Sequence, residues 1–170
     1  MNKRTLELRW WVVLVGVLLA PMAWAQKGPD LCIANRGEIR VQKGTASCSA
    51  DGVGSIAIAK GDGATAEATN GNRNKAKAMG DDSSAIATFG DDNTATVRGD
   101  DGSAAAGGWA EAGDRNTATV RGDGGTARAQ GGDDNEATVN GDESFASASI
   151  GDGNTAAVNG DGSSATAGYG

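Results

Sequence analysis

From Gly52 onward the chain can be cut before almost every Gly-Asp, and the pieces alternate between nine and ten residues. A period this short constrains the fold strongly, because one unit cannot bury a core alone and must stack on its neighbours. The nine-residue arms are Gly71–Met79, Gly90–Arg98, Gly113–Arg121, Gly132–Asn140 and Gly151–Asn159. Each reads Gly-[Asp/Asn]-x-Asn-x-Ala-x-[Val/Ala]-x. The ten-residue arms, such as Gly80–Phe89, Gly122–Gly131, Gly141–Ile150 and Gly160–Tyr169, place a small residue fourth and Ala sixth and eighth. They end in an extra residue that is sometimes bulky: Phe89, Ile150, Tyr169. One arm of each kind together make the repeating unit.

Side chains alternate between the two faces of a strand, so positions four, six and eight share one face and positions five and seven the other. The first set hardly changes from arm to arm. The second varies freely, as Lys75 and Lys77, Thr94 and Thr96, and Phe145 and Ser147 show. A buried face tolerates little and a solvated face much, so the Ala and Val face is the interior. Helix is disfavoured by Gly at every ninth or tenth residue and by Thr and Val in the arms, while Gly-Asp supplies turn chemistry. The expectation is an all-β, two-strands-per-coil β-solenoid over residues 52–170, of about six coils stacked at about 4.8 Å into a rod roughly 29 Å long. Asn74, Asn93, Asn116, Asn135 and Asn154 form one inward column, each amide placed to bond the next as in cross-β amide ladders.

The N-terminal region differs. Lys3, Arg4 and Arg9 precede an apolar stretch from Trp10 to Ala20, and Ala23-Trp24-Ala25 offers a small-x-small cleavage pattern. Residues 1–25 therefore read as a secretory signal peptide, with no membrane span after its removal. The remaining 145 residues carry 12 basic and 21 acidic side chains, a net charge of −9, which gives no affinity for nucleic acid or anionic lipid. Only fifteen of them are Leu, Ile, Val or Phe, a content that by itself suggests disorder; the repeat pattern argues against it. Cys32 and Cys48, the only cysteines, are expected to pair in an oxidising compartment. Glu38-Ile39-Arg40-Val41-Gln42 between them alternates polar and apolar as a half-buried strand does, so residues 26–51 read as a small disulfide-stapled N-terminal cap.

One arm breaks the rule: Trp109-Ala110-Glu111-Ala112 is inserted before Gly113. Such insertions become edge loops, and Trp109 and Glu111 mark a candidate surface loop. There is no His and no nucleophile, base and orienter set, and phosphate-loop and dinucleotide glycine patterns lack a strand-to-helix context, so catalysis is not expected. Asp62, Asp81, Asp100, Asp123, Asp142 and Asp161 line one edge, and Asp91, Asp114, Asp133 and Asp152 the other. Such columns either form turns or bind a cation, and the first six are candidates for weak Ca²⁺ binding. The Asp stands second in the arm, however, where calcium-binding β-rolls place it sixth. Otherwise no cofactor is implied. Thr94 and Thr96, with Thr117 and Thr119, present Thr-x-Thr pairs on adjacent coils, the pattern of an ice-binding face, interrupted by Lys75 and Lys77 on one side and Glu136 on the other.

Asn93-Thr-Ala-Thr-Val97 and Asn116-Thr-Ala-Thr-Val120 resemble half of a curlin repeat, the unit of extracellular amyloid fibres in bacterial biofilms. Gly54-Ser-Ile-Ala-Ile-Ala-Lys-Gly-Asp-Gly-Ala-Thr-Ala66 is similar to the head repeats of trimeric autotransporter adhesins, whose β-roll binds host surfaces. These resemblances imply an exported solenoid that assembles or adheres. A last coil without a cap would leave strand edges open to a second copy. The function expected is that of a non-enzymatic secreted or cell-surface fibre or adhesin-like subunit, with the periplasm as the other exported location. Its partners would be a copy of itself, end to end, or a cell surface; a calcium-binding β-roll module and an ice-binding protein are the alternatives.

Overall fold

A computed structural model describes residues 30–108 and 112–168. The signal-peptide reading, Trp109, Glu111 and Tyr169 lie outside these residues. Among the described residues the structure is all-β, with fifteen strands and no helix.

The strands β1 (Leu31–Asn35), β2 (Glu38–Lys43) and β3 (Ser47–Ala50) form the N-terminal end. Six pairs follow: β4 (Ile56–Lys60) with β5 (Thr65–Thr69), β6 (Lys75–Met79) with β7 (Ser84–Thr88), and β8 (Thr94–Arg98) with β9 (Ser103–Ala106). The others are β10 (Thr117–Arg121) with β11 (Thr126–Gln130), β12 (Glu136–Asn140) with β13 (Phe145–Ser149), and β14 (Thr155–Asn159) with β15 (Ser164–Ala167). Even-numbered strands from β4 to β14 lie side by side in an eight-stranded sheet that also holds β1 and β2, and odd-numbered strands from β3 to β15 form a seven-stranded sheet. From β3 and β4 onward every pairing is parallel and in register, so Ala57, Ala76, Ala95, Ala118, Ala137 and Ala156 form one column. This is a β-solenoid of about six coils with 19-residue spacing.

The core follows from the arm pattern. The sixth and eighth residues of each arm are inward, and all are buried except the half-buried Ala165 and Ala167 of the last arm; Val97, Val120 and Val139 are fully inaccessible. Alanine brings the two sheets close and contributes little apolar area per residue, so backbone ladders carry much of the cohesion.

The insertion leaves the register untouched. Although it lengthens one coil relative to the others, β10 still pairs with β8 so that Ala118 meets Ala95 and Val120 meets Val97. After the insertion the coil-to-coil contacts resume at Gly113, whose N–H bonds the Phe89 carbonyl at 3.1 Å.

At the N-terminal end the direction of the chain reverses. β1 runs antiparallel to both β4 and β2, setting Cys32 against Ala59 and Ala34 against Ala57, so the inward column continues onto an antiparallel strand. The Cys32–Cys48 disulfide, with Cα atoms 5.6 Å apart, joins β1 in one sheet to β3 in the other. The strand expected over 38–42 forms, but it is not half-buried: Ile39 is 59% exposed. β2 is the outermost strand of its sheet, and a bulge at Arg40 sets Ile39 opposite Ala34 and Val41 opposite Ile33; with no strand beyond β2 among the described residues, Ile39 stays exposed and Val41 is only half-buried. Its charges, including the Glu38–Arg40 pair at 2.9 Å, suit an edge that does not recruit another strand.

Candidate functional site

With an interior of small side chains, the chemistry of this molecule sits on its corners and on its two outward sheet faces. Each coil has two corners, built on the same Gly-Asp backbone but filled differently.

The corner leading into the eight-stranded sheet carries the asparagines. Asn74, Asn93, Asn116 and Asn135 are buried and Asn154 is half-buried. They are joined along the rod, but not amide to amide. The Oδ1 of each accepts the backbone N–H of the asparagine one coil on: Asn93 N–H to Asn74 at 2.9 Å, Asn116 to Asn93 at 2.9 Å, Asn135 to Asn116 at 3.0 Å and Asn154 to Asn135 at 2.9 Å. The amide nitrogen turns to the glycine that opens the arm of the next coil, Asn74 to the Gly90 carbonyl at 2.9 Å, Asn93 to Gly113 at 2.8 Å and Asn116 to Gly132 at 2.8 Å. Glycine is required there because a Cβ on Gly90 would stand 2.2 Å from the Gly113 carbonyl oxygen. Positions one and four of the arm are thus two halves of one contact. The Nδ2 of Asn135 is the exception, buried without a partner among the described residues.

At the corner leading into the seven-stranded sheet the fourth position is Ala64, Ser83, Gly102, Gly125, Ser144 or Ser163. Here shape decides. A Cβ on Gly102 would lie 2.7 Å from Cγ1 of Val97, and one on Gly125 would lie 2.8 Å from Cγ1 of Val120. Val97 and Val120 therefore leave room only for hydrogen at Gly102 and Gly125, whereas Val139 and Val158 are followed by Ser144 and Ser163, and the Ser144 hydroxyl donates to the Gly160 carbonyl at 2.7 Å and accepts the Ser163 N–H at 3.2 Å.

The second-position aspartates form a ladder on each corner, with a carboxylate oxygen accepting the backbone N–H of the residue one coil back. On one side the donors and acceptors run Asp62 to Asp81 at 2.8 Å, Asp81 to Asp100 at 2.8 Å, Asp100 to Asp123 at 2.9 Å, Asp123 to Asp142 at 2.9 Å and Asp142 to Asp161 at 3.0 Å. On the other, Asn72, Asp91, Asp114 and Asp133 donate to Asp91, Asp114, Asp133 and Asp152 at 2.7 to 2.9 Å. The structure brings the six calcium candidates into one column, in which the carboxylates of Asp81, Asp100, Asp123, Asp142 and Asp161 accept backbone N–H groups and that of Asp62 accepts the Thr45 hydroxyl. Among the described residues no three His, Cys, Asp or Glu side chains are grouped to hold a metal ion.

The third turn residue is left-handed throughout, for example Asp82 (φ 52°), Asp101 (φ 55°) and Arg115 (φ 59°). That conformation aims its side chain outward and makes two ion pairs along the rod. Arg73 binds Asp92 through Nε at 2.7 Å and through Nη2 at 2.6 Å, and Arg115 binds Asp134 in the same two-pronged way at 2.6 and 2.7 Å. These hydrogen bonds hold the Asp92 and Asp134 carboxyls below the ordinary aspartate range and raise both guanidinium values. All four side chains are 42 to 59% exposed, so each pair adds little stability. These pairs were not among the candidate site residues; their signal in the sequence is an Arg and an Asp at the same turn position one repeat unit apart.

The bulky arm-ending residues Phe89 (φ 54°) and Ile150 (φ 60°) are also left-handed, as is Asn70 (φ 54°) at the equivalent place. A β-branched residue seldom adopts this conformation, and Ile150 is 51% exposed. The outward face of the eight-stranded sheet holds Thr94 and Thr96 beside Thr117 and Thr119, in register. Next to them a shallow groove is lined by Ile56, Ile58, Lys75, Lys77, Thr94 and Thr96. No helix among the described residues is long and apolar enough to cross a membrane.

No known protein family, no curated protein and no solved structure matches this chain. The class it belongs to is therefore defined by its build alone: an alanine-cored, two-sheet β-solenoid with a disulfide at its N-terminal end.

Proposed function

We propose that the protein is an exported, non-enzymatic structural or adhesive rod, secreted or held at the cell surface, of the type built by curlin repeats and by the heads of trimeric autotransporter adhesins. The observation that carries this reading is the self-templating character of every coil-to-coil contact. Each coil offers the next the same strand pairs, the same aspartate acceptors and the same asparagine acceptors, so the groups that join coils within one chain can join coils of two chains. The free variation of outward residues over a fixed interior supports display as the role of the surface. Export is supported by the leader pattern and by a disulfide, which persists in oxidising compartments.

The test is size-exclusion chromatography with light scattering over a concentration series, together with thioflavin fluorescence and binding to bacterial and host-cell surfaces. Assembly or surface binding that rises with concentration is expected; a protein that stays monomeric and binds no surface overturns the reading. The same samples in EDTA and in millimolar Ca²⁺ are expected to give one far-UV circular dichroism spectrum, because the column aspartates accept backbone N–H groups, or at Asp62 the Thr45 hydroxyl. Strand signal that appears only with Ca²⁺ would make the rod a calcium-dependent module.

A further inference from the structure

We infer that the outward face of the eight-stranded sheet is an ice-binding surface, centred on a lattice of threonines wider than the two Thr-x-Thr pairs seen in the sequence. Strand pairing extends one row through Thr96, Thr119 and Thr138, and the neighbouring row through Thr94 and Thr117 to Thr155 with Glu136 between them. Six threonines thus lie on four adjacent strands. Lys75 and Lys77 border the lattice on β6 instead of interrupting it.

Three observations point to ordered water as the ligand. First, these hydroxyls are not used by the fold. The Thr138 hydroxyl contacts Glu136 at 3.4 Å, whereas those of Thr94, Thr96, Thr117, Thr119 and Thr155 make no hydrogen bond among the described residues. Elsewhere in the molecule hydroxyls do bond backbone or carboxylate, as Ser55, Ser83 and Ser144 do at the corners and Thr45 does in the cap.

Second, the groups are held still. All but Thr155 are half-buried between neighbours, the alanines and valines beneath them are packed, and a β-branched side chain has few χ1 options. Each presents a methyl and a hydroxyl at a fixed place, so little order has to be imposed on binding.

Third, the repeats fit. In a tetrahedral water network with O···O of about 2.75 Å, second-neighbour oxygens stand about 4.5 Å apart and the stacked layers repeat at about 7.3 Å. The threonines repeat at about 4.8 Å from strand to strand and about 6.6 Å along a strand. Each repeat agrees to within about a tenth, and the strand-to-strand mismatch accumulates to only about 1 Å over four strands. A protein partner fits less well, because the lattice is far smaller than the roughly 800 Å² a side that a stable interface buries. A crystal is matched by repeat and not by the area of one contact.

The inference does not depend on assembly: a single rod carries the whole lattice. It is tested by growing single ice crystals in solutions of the purified protein and by following recrystallisation of polycrystalline ice. The native protein and a Ser147→Tyr variant, altered on the opposite sheet, are expected to give faceted crystals and slowed coarsening. Thr119→Tyr, which raises a ring from the middle of the lattice, is expected to lose both effects with an unchanged circular dichroism spectrum. Round, unshaped crystals with the folded native protein would overturn the proposal, as would equal loss in Ser147→Tyr and Thr119→Tyr. A rod that shapes ice while remaining monomeric and binding no cell sinks only the fibre or adhesin reading, and one that assembles without shaping ice sinks only this inference.

Discussion

The two corners of each coil solve one problem by different means. Both must turn a strand through Gly-Asp and dock the turn on the coil above. At the asparagine corner the docking is polar: one buried amide satisfies an N–H of the next coil through Oδ1 and a glycine carbonyl through Nδ2. At the small-residue corner no amide is present: the fit depends on volume at Gly102 against Val97 and Gly125 against Val120, and among the described residues only Ser144 makes a shorter form of the asparagine contact there, to the Ser163 N–H and the Gly160 carbonyl. Outside, the asparagine corner offsets its aspartates with Arg73 and Arg115, whereas the other corner carries nine carboxylates at its turn positions and no Lys or Arg. A backbone corner does not dictate its filling. What it requires is that the backbone groups of the next turn find partners and that no volume is doubled.

The sharpest way to break this comparison is to remove one amide. Asn116→Ala strands the Asn135 N–H and the Gly132 carbonyl, and should lower unfolding stability by about 3 kcal/mol. Ser83→Ala at the other corner loses a 2.8 Å bond to the carbonyl of Gly80 in its own turn and should cost about 1 kcal/mol. Equal losses in chemical denaturation would show that the two corners do not differ in kind.

Volume is probed next. Gly102→Ala should destabilise by about 2 kcal/mol through overpacking against Val97. Adding Val97→Ala should recover part of that loss, so that the double variant is less damaged than the sum of the singles. Strict additivity would remove shape as the organising term at this corner.

A smaller effect of opposite sign is expected at Ile150. A left-handed residue with a Cβ costs about 1–2 kcal/mol, so Ile150→Gly should relieve about 1 kcal/mol of strain and raise the thermal midpoint. A lower midpoint would mean that the isoleucine makes contacts worth more than its strain.

The smallest effect separates the corners by pH. The carboxyls of Asp92 and Asp134 are depressed in the folded state, so their contribution is present above the unfolded-state value and is lost as pH falls through the folded one, below about pH 4. Arg115→Gln should be slightly less stable than the native protein at neutral pH, and the two should converge in strong acid. High salt should shrink the difference, because the pairs are exposed. A difference that persists in acid would assign the role of Arg115 to packing instead of charge.

Much of the architecture was legible because a β-arm with one buried face writes its period directly into the sequence. Ala118 and Val120 could be placed inside, and Thr117 and Thr119 outside, from alternation alone. The cap was harder to read. Glu38–Lys43 has the alternation of a half-buried strand, but whether that face is covered depends on a register set by a bulge at Arg40 in β2 and on which strand lies outermost. For the threonine face, the two pairs at 94–96 and 117–119 were visible; Thr138 and Thr155 joined them only once strand pairing had fixed the rows across Glu136.

By itself the sequence determined the two-arm coil, the inward and outward sets, the count of about six coils and the pairing of Cys32 with Cys48, because periodicity and a two-cysteine inventory leave little choice. Only the tertiary structure decided how the columns bond. Composition puts asparagines and aspartates in stacks, but their partners are backbone N–H groups of the neighbouring coil, reached forward along the rod by asparagine and backward by aspartate. That direction depends on where each corner sets its N–H relative to the coil beside it, a relation between turns of successive coils that no single arm contains.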